Sequence, residues 1–219
     1  MKIAKLAIAL SVLIWAQHAA AEEMQVIDGD TIKIENVTYR LHGIDAPEYG
    51  QKCAKFSGGK WACGKDSTAF LKSMTEGKTV NCDAMDVDDY GRVIAVCKVN
   101  GFDINAEMVL TGMAWAYTKY SNDYVIEQDA AKQSKVGVWQ ANTQSPWEYR
   151  RTRWEVAEQE APKGCPIKGN ISRAGERIYH APWSPWYNKT KVSVEKGERW
   201  FCTEKDATDA GWRAPIWGG

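Results

Sequence analysis

Neither sign of charge prevails in this 219-residue chain, where 28 Lys and Arg stand against 28 Asp and Glu. That excludes a strongly basic groove, and affinity for a polyanion resting on charge alone is expected to be modest and salt-sensitive. The balance is uneven along the chain: residues 22–145 carry 13 Lys or Arg against 18 Asp or Glu, and residues 146–219 carry 13 against 10. Long apolar runs are also scarce. The one at Leu6–Ala16 is too short for a stable bilayer anchor, and no second one follows, so no membrane anchor is expected in the mature chain. With Lys2 and Lys5 before it and Ala19-Ala20-Ala21 after it, that run reads as a secretory signal peptide over residues 1–21. No cysteine stands at the expected cleavage point, which leaves a lipoprotein without support. The mature protein is expected to be exported, either periplasmic or secreted.

All six cysteines fall after the leader, and in an oxidising compartment an even number reads as disulfides. Cys82 and Cys97 lie at similar distances from the turn at Asp88-Asp89, so they can face each other across a hairpin. Cys53 and Cys63 flank the glycine-rich loop Phe56-Ser57-Gly58-Gly59-Lys60. Cys165 and Cys202 remain for the tail. Sequence alone does not fix these pairings. A zinc site built from Cys165, His180 and Cys202 is the rival, without an obvious fourth ligand or close pair spacing.

The densest chemistry lies early. Asp28-Gly29-Asp30-Thr31, then Arg40, then Asp45-Ala46-Pro47-Glu48 fall within 21 residues. If 32–34 and 38–41 are the strands of one hairpin turning near Glu35-Asn36, then Asp30, Arg40, Asp45 and Glu48 converge on one end of a small sheet. Hard oxygen donors for a divalent cation, a carboxylate to activate water and a fixed cation for a phosphate make up the inventory for cutting a phosphodiester. The bland reading is that Asp-Gly-Asp and Asp-x-Pro are ordinary turn sequences. A second cluster, Asp86-Val87-Asp88-Asp89-Tyr90-Gly91-Arg92, lies between strand-like runs at 79–84 and 93–99 and puts another arginine at a hairpin tip.

Together these motifs resemble the staphylococcal nuclease (thermonuclease) family over roughly 24–139, with order, type and spacing agreeing across both. The resemblance implies an α+β fold: a five-stranded OB-type β-barrel with about three packed helices. It also implies Asp30, Asp45 and the Ala46 carbonyl as calcium ligands, Arg40, Glu48 and Arg92 as catalytic residues, and Tyr90, Tyr117 and Tyr120 as substrate contacts. For the last two tyrosines, core packing is the competing reading. Three departures from the family pattern stand out: the hairpin before Arg40 is short, Ala46 replaces a hydroxyl residue, and Asp89 replaces a basic residue.

Apolar spacing predicts scaffold helices at 66–75, 103–110 with an Asp103 cap, and 123–134, each followed by a glycine within a few residues. Composition then changes at Ser145-Pro146. Residues 146–164 read as a helical linker bearing Arg150, Arg151 and Arg153, either a basic contact for nucleic acid or an amphipathic connector. Residues 165–219 form a small disulfide-stapled module rich in tryptophan, whose Trp183, Trp186, Trp200 and Trp212 make either a mini-core, the favoured reading, or an exposed aromatic face. Residues 22–145 are thus the expected catalytic domain.

The function these features imply is an exported, calcium-dependent nuclease acting as a monomer on DNA and RNA, with a preference for single strands. Its rivals are a catalytically silent nucleic-acid-binding barrel and an exported adaptor acting through the tail. Since every assigned residue precedes Trp139, the segment from Pro146 onward is expected to be dispensable for bond cleavage.

Overall fold

Alternating apolar residues begin the fold: β1 (Met24–Asp28) pairs antiparallel with β2 (Thr31–Ile34), and Val26 and Ile32, opposite each other, are both buried. The computed structural model describes residues 24–217, so the expected leader lies outside the described residues. β3 (Val37–Leu41) follows a two-residue turn at Glu35-Asn36, with Glu35 at φ 52°, the left-handed geometry that a tight hairpin needs. After β4 (Ile44–Asp45), the short strands β5 (Cys53–Ala54) and β6 (Lys60–Trp61) pair with each other, and α1 (Cys63–Thr75) follows. A second hairpin, β7 (Val80–Val87) with β8 (Val93–Val99), places Cys82 directly opposite Cys97. Next come β9 (Phe102–Asp103), α2 (Ile104–Leu110), β10 (Trp115–Ala116) and α3 (Val125–Ser134).

The main sheet runs β1-β2-β3-β8-β7, with β9 added to β8 and with β3 and β8 parallel. No ladder joins β7 back to β1 among the described residues. The architecture is therefore α+β of the OB type, five principal strands wrapped around a core but not hydrogen-bonded into a closed cylinder. Val26, Ile32, Leu41, Leu71, Ala95 and Met108 fill that core. α2 is tied to it by buried Asn105, whose amide donates to the carbonyls of His42 and Ala95 and accepts from the Cys97 N–H.

α4 (Pro146–Glu160) leads to a three-stranded antiparallel sheet with β11 (Ile167–Ile171) between β12 (Arg177–His180) and β13 (Arg199–Phe201), closed by α5 (Glu204–Asp209). Ile167, Tyr179, Phe201, Ala207 and Trp212 form its own core. The mini-core reading is right for Trp212, whereas Trp186 is half exposed. Disulfides join Cys53–Cys63, Cys82–Cys97 and Cys165–Cys202, the expected pairs, which removes the zinc alternative. The chain then returns to its start: the Trp217 N–H donates to the Ile27 carbonyl at 3.0 Å, and its ring stacks on Tyr49 at 5.2 Å. No described helix is long and apolar enough to cross a membrane.

Candidate active site

The turn between β1 and β2 carries Asp28-Gly29-Asp30, and Gly29 is there for want of space. A Cβ on it would lie 2.3 Å from Ser67 Oγ on α1. Asp30 is buried, with Oδ1 accepting from Thr31 Oγ1 and Arg40 Nη1 and Oδ2 accepting from the Ala46 N–H at 2.9 Å. The register Thr31↔Arg40 sets that guanidinium beside the turn, and its other arm, Nη2, donates to Asp45 Oδ1 at 3.0 Å. Asp45 is fully buried. Glu48 sits on the following loop, whose main chain is held twice. Its N–H donates to the buried Gln51 Oε1 at 3.2 Å, and Gly64 presses so close that a Cβ there would lie 1.7 Å from the Glu48 carbonyl. The Cys53–Cys63 bridge fastens the same loop to the start of α1.

One member of the pocket comes from the segment expected to be a linker. Ser145, Pro146 and Glu148 start α4 with a capping box, the Glu148 carboxylate accepting from the Ser145 N–H at 3.0 Å, which fixes the rotation of the first turn. Trp147, Arg150, Trp154 and Ala157 then form the inward stripe, while Arg151 and Arg153 point to solvent. Arg150 Nη1 donates to Glu48 Oε1 at 2.7 Å and to Asp45 Oδ1 at 3.0 Å, and Nη2 donates to Asp45 Oδ2 at 2.7 Å. The expectation that every group of the pocket precedes Trp139 is thereby corrected. The sequence signalled only that an arginine stood among tryptophans at helical spacing, not where that face would turn. Gln51, whose amide also bonds the Gln144 carbonyl at 2.8 Å, had no such signal.

Four carboxylates, Asp28, Asp30, Asp45 and Glu48, thus face two guanidiniums. Burial and the neighbouring Asp30 push the Asp28 carboxyl well above its ordinary range. For Asp30, burial acts in the same direction but is outweighed by Arg40, leaving its pKa lowered. Burial raises Glu48 to about 7 against the opposing pull of Arg150. Both arginines lose hydration on burial, yet their carboxylate partners hold them firmly protonated. Among the described residues, no three Asp, Glu, His or Cys side chains are spaced as a complete metal cage. What the pocket does offer is Asp30 and Asp45 bridged by one arginine, beside the Ala46 main chain, with formal negative charge in excess. That oxygen-only donor set suits a hard divalent cation that keeps part of its water shell.

The remaining predicted residues lie around this pocket rather than in it. Arg92 is held at the tip of the β7–β8 hairpin, with Nε and Nη2 each 2.7 Å from Asp88 Oδ2 and the guanidinium 5.2 Å from the Tyr90 ring centre. Its charge still reaches Asp30. Tyr117 is neither free nor core: it stacks on Trp147 of α4 at 5.3 Å and meets the largely exposed Tyr120 edge-on at 5.1 Å. From the tail, Glu204 accepts the Tyr179 hydroxyl at 2.9 Å and lies within electrostatic reach of Arg92, Arg150 and Arg40.

Residues 38–141 match the family model described as staphylococcal nuclease homologue. A protein of Escherichia coli named as an uncharacterized endonuclease is 37% identical over 138 residues, covering 59% of this chain and 84% of its own length. The chain belongs to the staphylococcal nuclease family. A micrococcal nuclease of Shigella flexneri is 34% identical to this staphylococcal nuclease homologue over 161 residues, 65% of the chain and 86% of that protein. The succinoglycan biosynthesis protein ExoI of Rhizobium meliloti strain 1021 is 32% identical over 140 residues, 60% of the chain and 73% of its own. In this nuclease homologue, Arg40, Asp45, Ala46, Glu48 and Arg92 fall within the family match, whereas Arg150 lies in a segment, 144–214, that matches a separate family model named ArfC.

Proposed function

We propose that this protein is an exported, calcium-dependent nuclease that hydrolyses phosphodiester bonds in DNA and RNA. The observation that carries the reading is the convergence of Asp30, Arg40 and Asp45 in one hydrogen-bonded set, with Glu48 joined to Asp45 through Arg150, in a chain whose relatives include proteins named endonuclease and micrococcal nuclease. Asp30, Asp45 and the Ala46 carbonyl would hold the cation. When bound, calcium supplies positive charge to the phosphate being attacked.

Glu48 takes a proton from the attacking water, a role suited to a carboxyl raised to about 7 because a base works best with a pKa near ambient pH. Arg40 and Arg92 offer paired N–H donors to the charge that develops on the phosphate oxygens. Tyr90 and Tyr120, both substantially exposed, give a passing strand stacking surfaces, while Tyr117 braces Tyr120 from below. None of these groups reads a base edge, which favours both nucleic acids, and exposed tyrosine rings that stack on unpaired bases favour single or frayed strands. Three disulfides support an oxidising compartment, in keeping with the expected leader. Action as a monomer completes the reading.

The deciding experiment incubates the purified mature protein with single-stranded DNA and RNA, first with calcium and then with chelator. Cleavage of both, abolished by chelator, is expected. Binding without cleavage points instead to a silent nucleic-acid-binding barrel.

A further inference from the structure

We propose that Arg150 is a positioning residue of this active site, a guanidinium from outside the nuclease domain that fastens the ion-holding Asp45 to the base Glu48 and thereby weakens the pocket's grip on its cation. The proposal rests on the roles given to Asp45 and Glu48 above. Among the described residues, Arg150 is the only side chain bonded to the Glu48 carboxylate. It also engages both oxygens of Asp45, an already buried group whose Oδ1 also accepts from Arg40. Docking α4 does not require this. Trp147, stacked on Tyr117 and packed against Cys53, Cys63, Trp115 and Val138, already supplies apolar contact with the nuclease domain, and burying a guanidinium carries a desolvation cost that only good paired geometry offsets.

A planar fork sets distance and angle between two carboxylates at once, which a single ammonium cannot do. Fixing Glu48 relative to Asp45 fixes the base relative to the cation site, and small displacements there are expensive in rate. The same fork places a unit of positive charge against the cation site and occupies acceptor positions on Asp45. Removing it therefore moves two quantities in opposite directions. A residue that merely held the fold together would, on removal, weaken cation binding and turnover alike.

The test uses the full mature protein with Arg150→Gln and Arg150→Lys. Calcium affinity is measured by titration calorimetry, turnover on a short oligonucleotide, and folding by thermal unfolding with and without calcium. In Arg150→Gln, calcium binding should tighten roughly tenfold, the effect of deleting one nearby like charge. Turnover should fall by about tenfold to a hundredfold, typical for loss of a supporting contact. Arg150→Lys keeps the charge, so its calcium affinity should stay near that of the parent while turnover falls, and it serves if the glutamine variant does not fold. Glu48→Gln combined with Arg150→Gln should cleave no more slowly than Glu48→Gln alone, because once the base is gone its position relative to the cation site no longer matters. Unchanged or weaker calcium binding in Arg150→Gln, full turnover in either variant, or no calcium binding in parent and variant alike overturns the proposal. If the parent binds calcium but cuts nothing, the nuclease reading fails, and the calorimetric comparison alone still decides whether Arg150 opposes the cation.

Discussion

Arg40 from β3 and Arg150 from α4 meet in the acidic pocket, and Asp45 is the carboxylate they share, its Oδ1 accepting from both. Arg40 extends one arm to Asp30 and the other to Asp45, a span that a lysine does not cover. Arg40→Lys should therefore stay folded yet lose most of its activity, as single-turnover kinetics beside circular dichroism would show. Glu48→Gln should retain calcium binding and lose roughly two or more orders of magnitude in rate, and unchanged turnover would remove Glu48 from the mechanism. Its elevated pKa has a thermodynamic side. In the metal-free fold the Glu48 carboxyl keeps its proton up to about 7, whereas the unfolded chain releases it near the ordinary value of 4.5. This group's contribution to stability is thus complete below that lower value and is lost as pH rises through about 7. Cleavage runs the other way, falling toward acid pH as the base becomes protonated, with its midpoint below the metal-free value because the bound cation favours the ionised carboxylate. Melting curves of the metal-free parent and Glu48→Gln should diverge across this window, the parent losing more as pH rises. Asp30, Arg40, Asp45 and Glu48 were legible as a group because two short motifs and one hairpin bring them together. Arg150 was legible only as a member of a basic, aromatic helix.

Local signals fixed most of the elements. Asp103 caps α2 by accepting from the N–H groups of Asn105 and Ala106, and it also takes the Tyr124 hydroxyl at 3.1 Å. Asp103→Ala should cost about 1–2 kcal/mol by chemical denaturation, the second bond placing it toward the upper end. Glu35-Asn36 turned the first hairpin where expected, and Ser145-Pro146-x-Glu148 started α4 at Pro146, where the helical segment was expected to begin, because proline tolerates the first helical position. Across the β7–β8 hairpin, the facing pair Cys82 and Cys97 form the bridge that spacing suggested. Replacing both with alanine should lower stability by about 2–4 kcal/mol. It should also loosen the strand ends that present Tyr90 and Arg92, so the Michaelis constant for a long single strand should rise. The orientation of α4 was not legible at this scale: charged and aromatic residues alternate along it too evenly for one apolar face to announce itself, and only contact with the barrel through Trp147 and Arg150 and with the carboxy-terminal module through Trp154 singles out the stripe.

For the molecule as a whole, the consequence is that the two halves are not separable in the way composition suggested. Truncation after Ser145 removes Arg150 from Asp45 and Glu48, uncovers Tyr117 by deleting Trp147, and takes Trp217 from Tyr49. The truncated protein should therefore lose turnover on short oligonucleotides as well as melting temperature, where the sequence reading foresaw retained cleavage. A stable, fully active truncation product would show that the tail's contacts are incidental. The carboxy-terminal module carries its own pH signature: burial, aided by Lys168, lowers the pKa of His180 to about 4, and its Nδ1 lies 3.1 Å from Ser184 Oγ. Folded His180 stays neutral while the unfolded chain takes up a proton near 6.5. Its stabilising contribution is whole above that value and is lost as pH falls through about 4, so His180→Gln should flatten the acid side of the module's unfolding profile. By itself, the sequence determined the two hairpins of the sheet and the acidic core of the site, because each depends on residues close in sequence or on a motif of fixed spacing; it suggested the three disulfide partners, and the structure decided them. The tertiary structure alone decided that Arg150 joins the acidic core, across separations of 102 and 105 residues. That contact depends on where a helix lies and how far it is rotated about its axis, quantities set by packing between distant segments and carried by no local pattern.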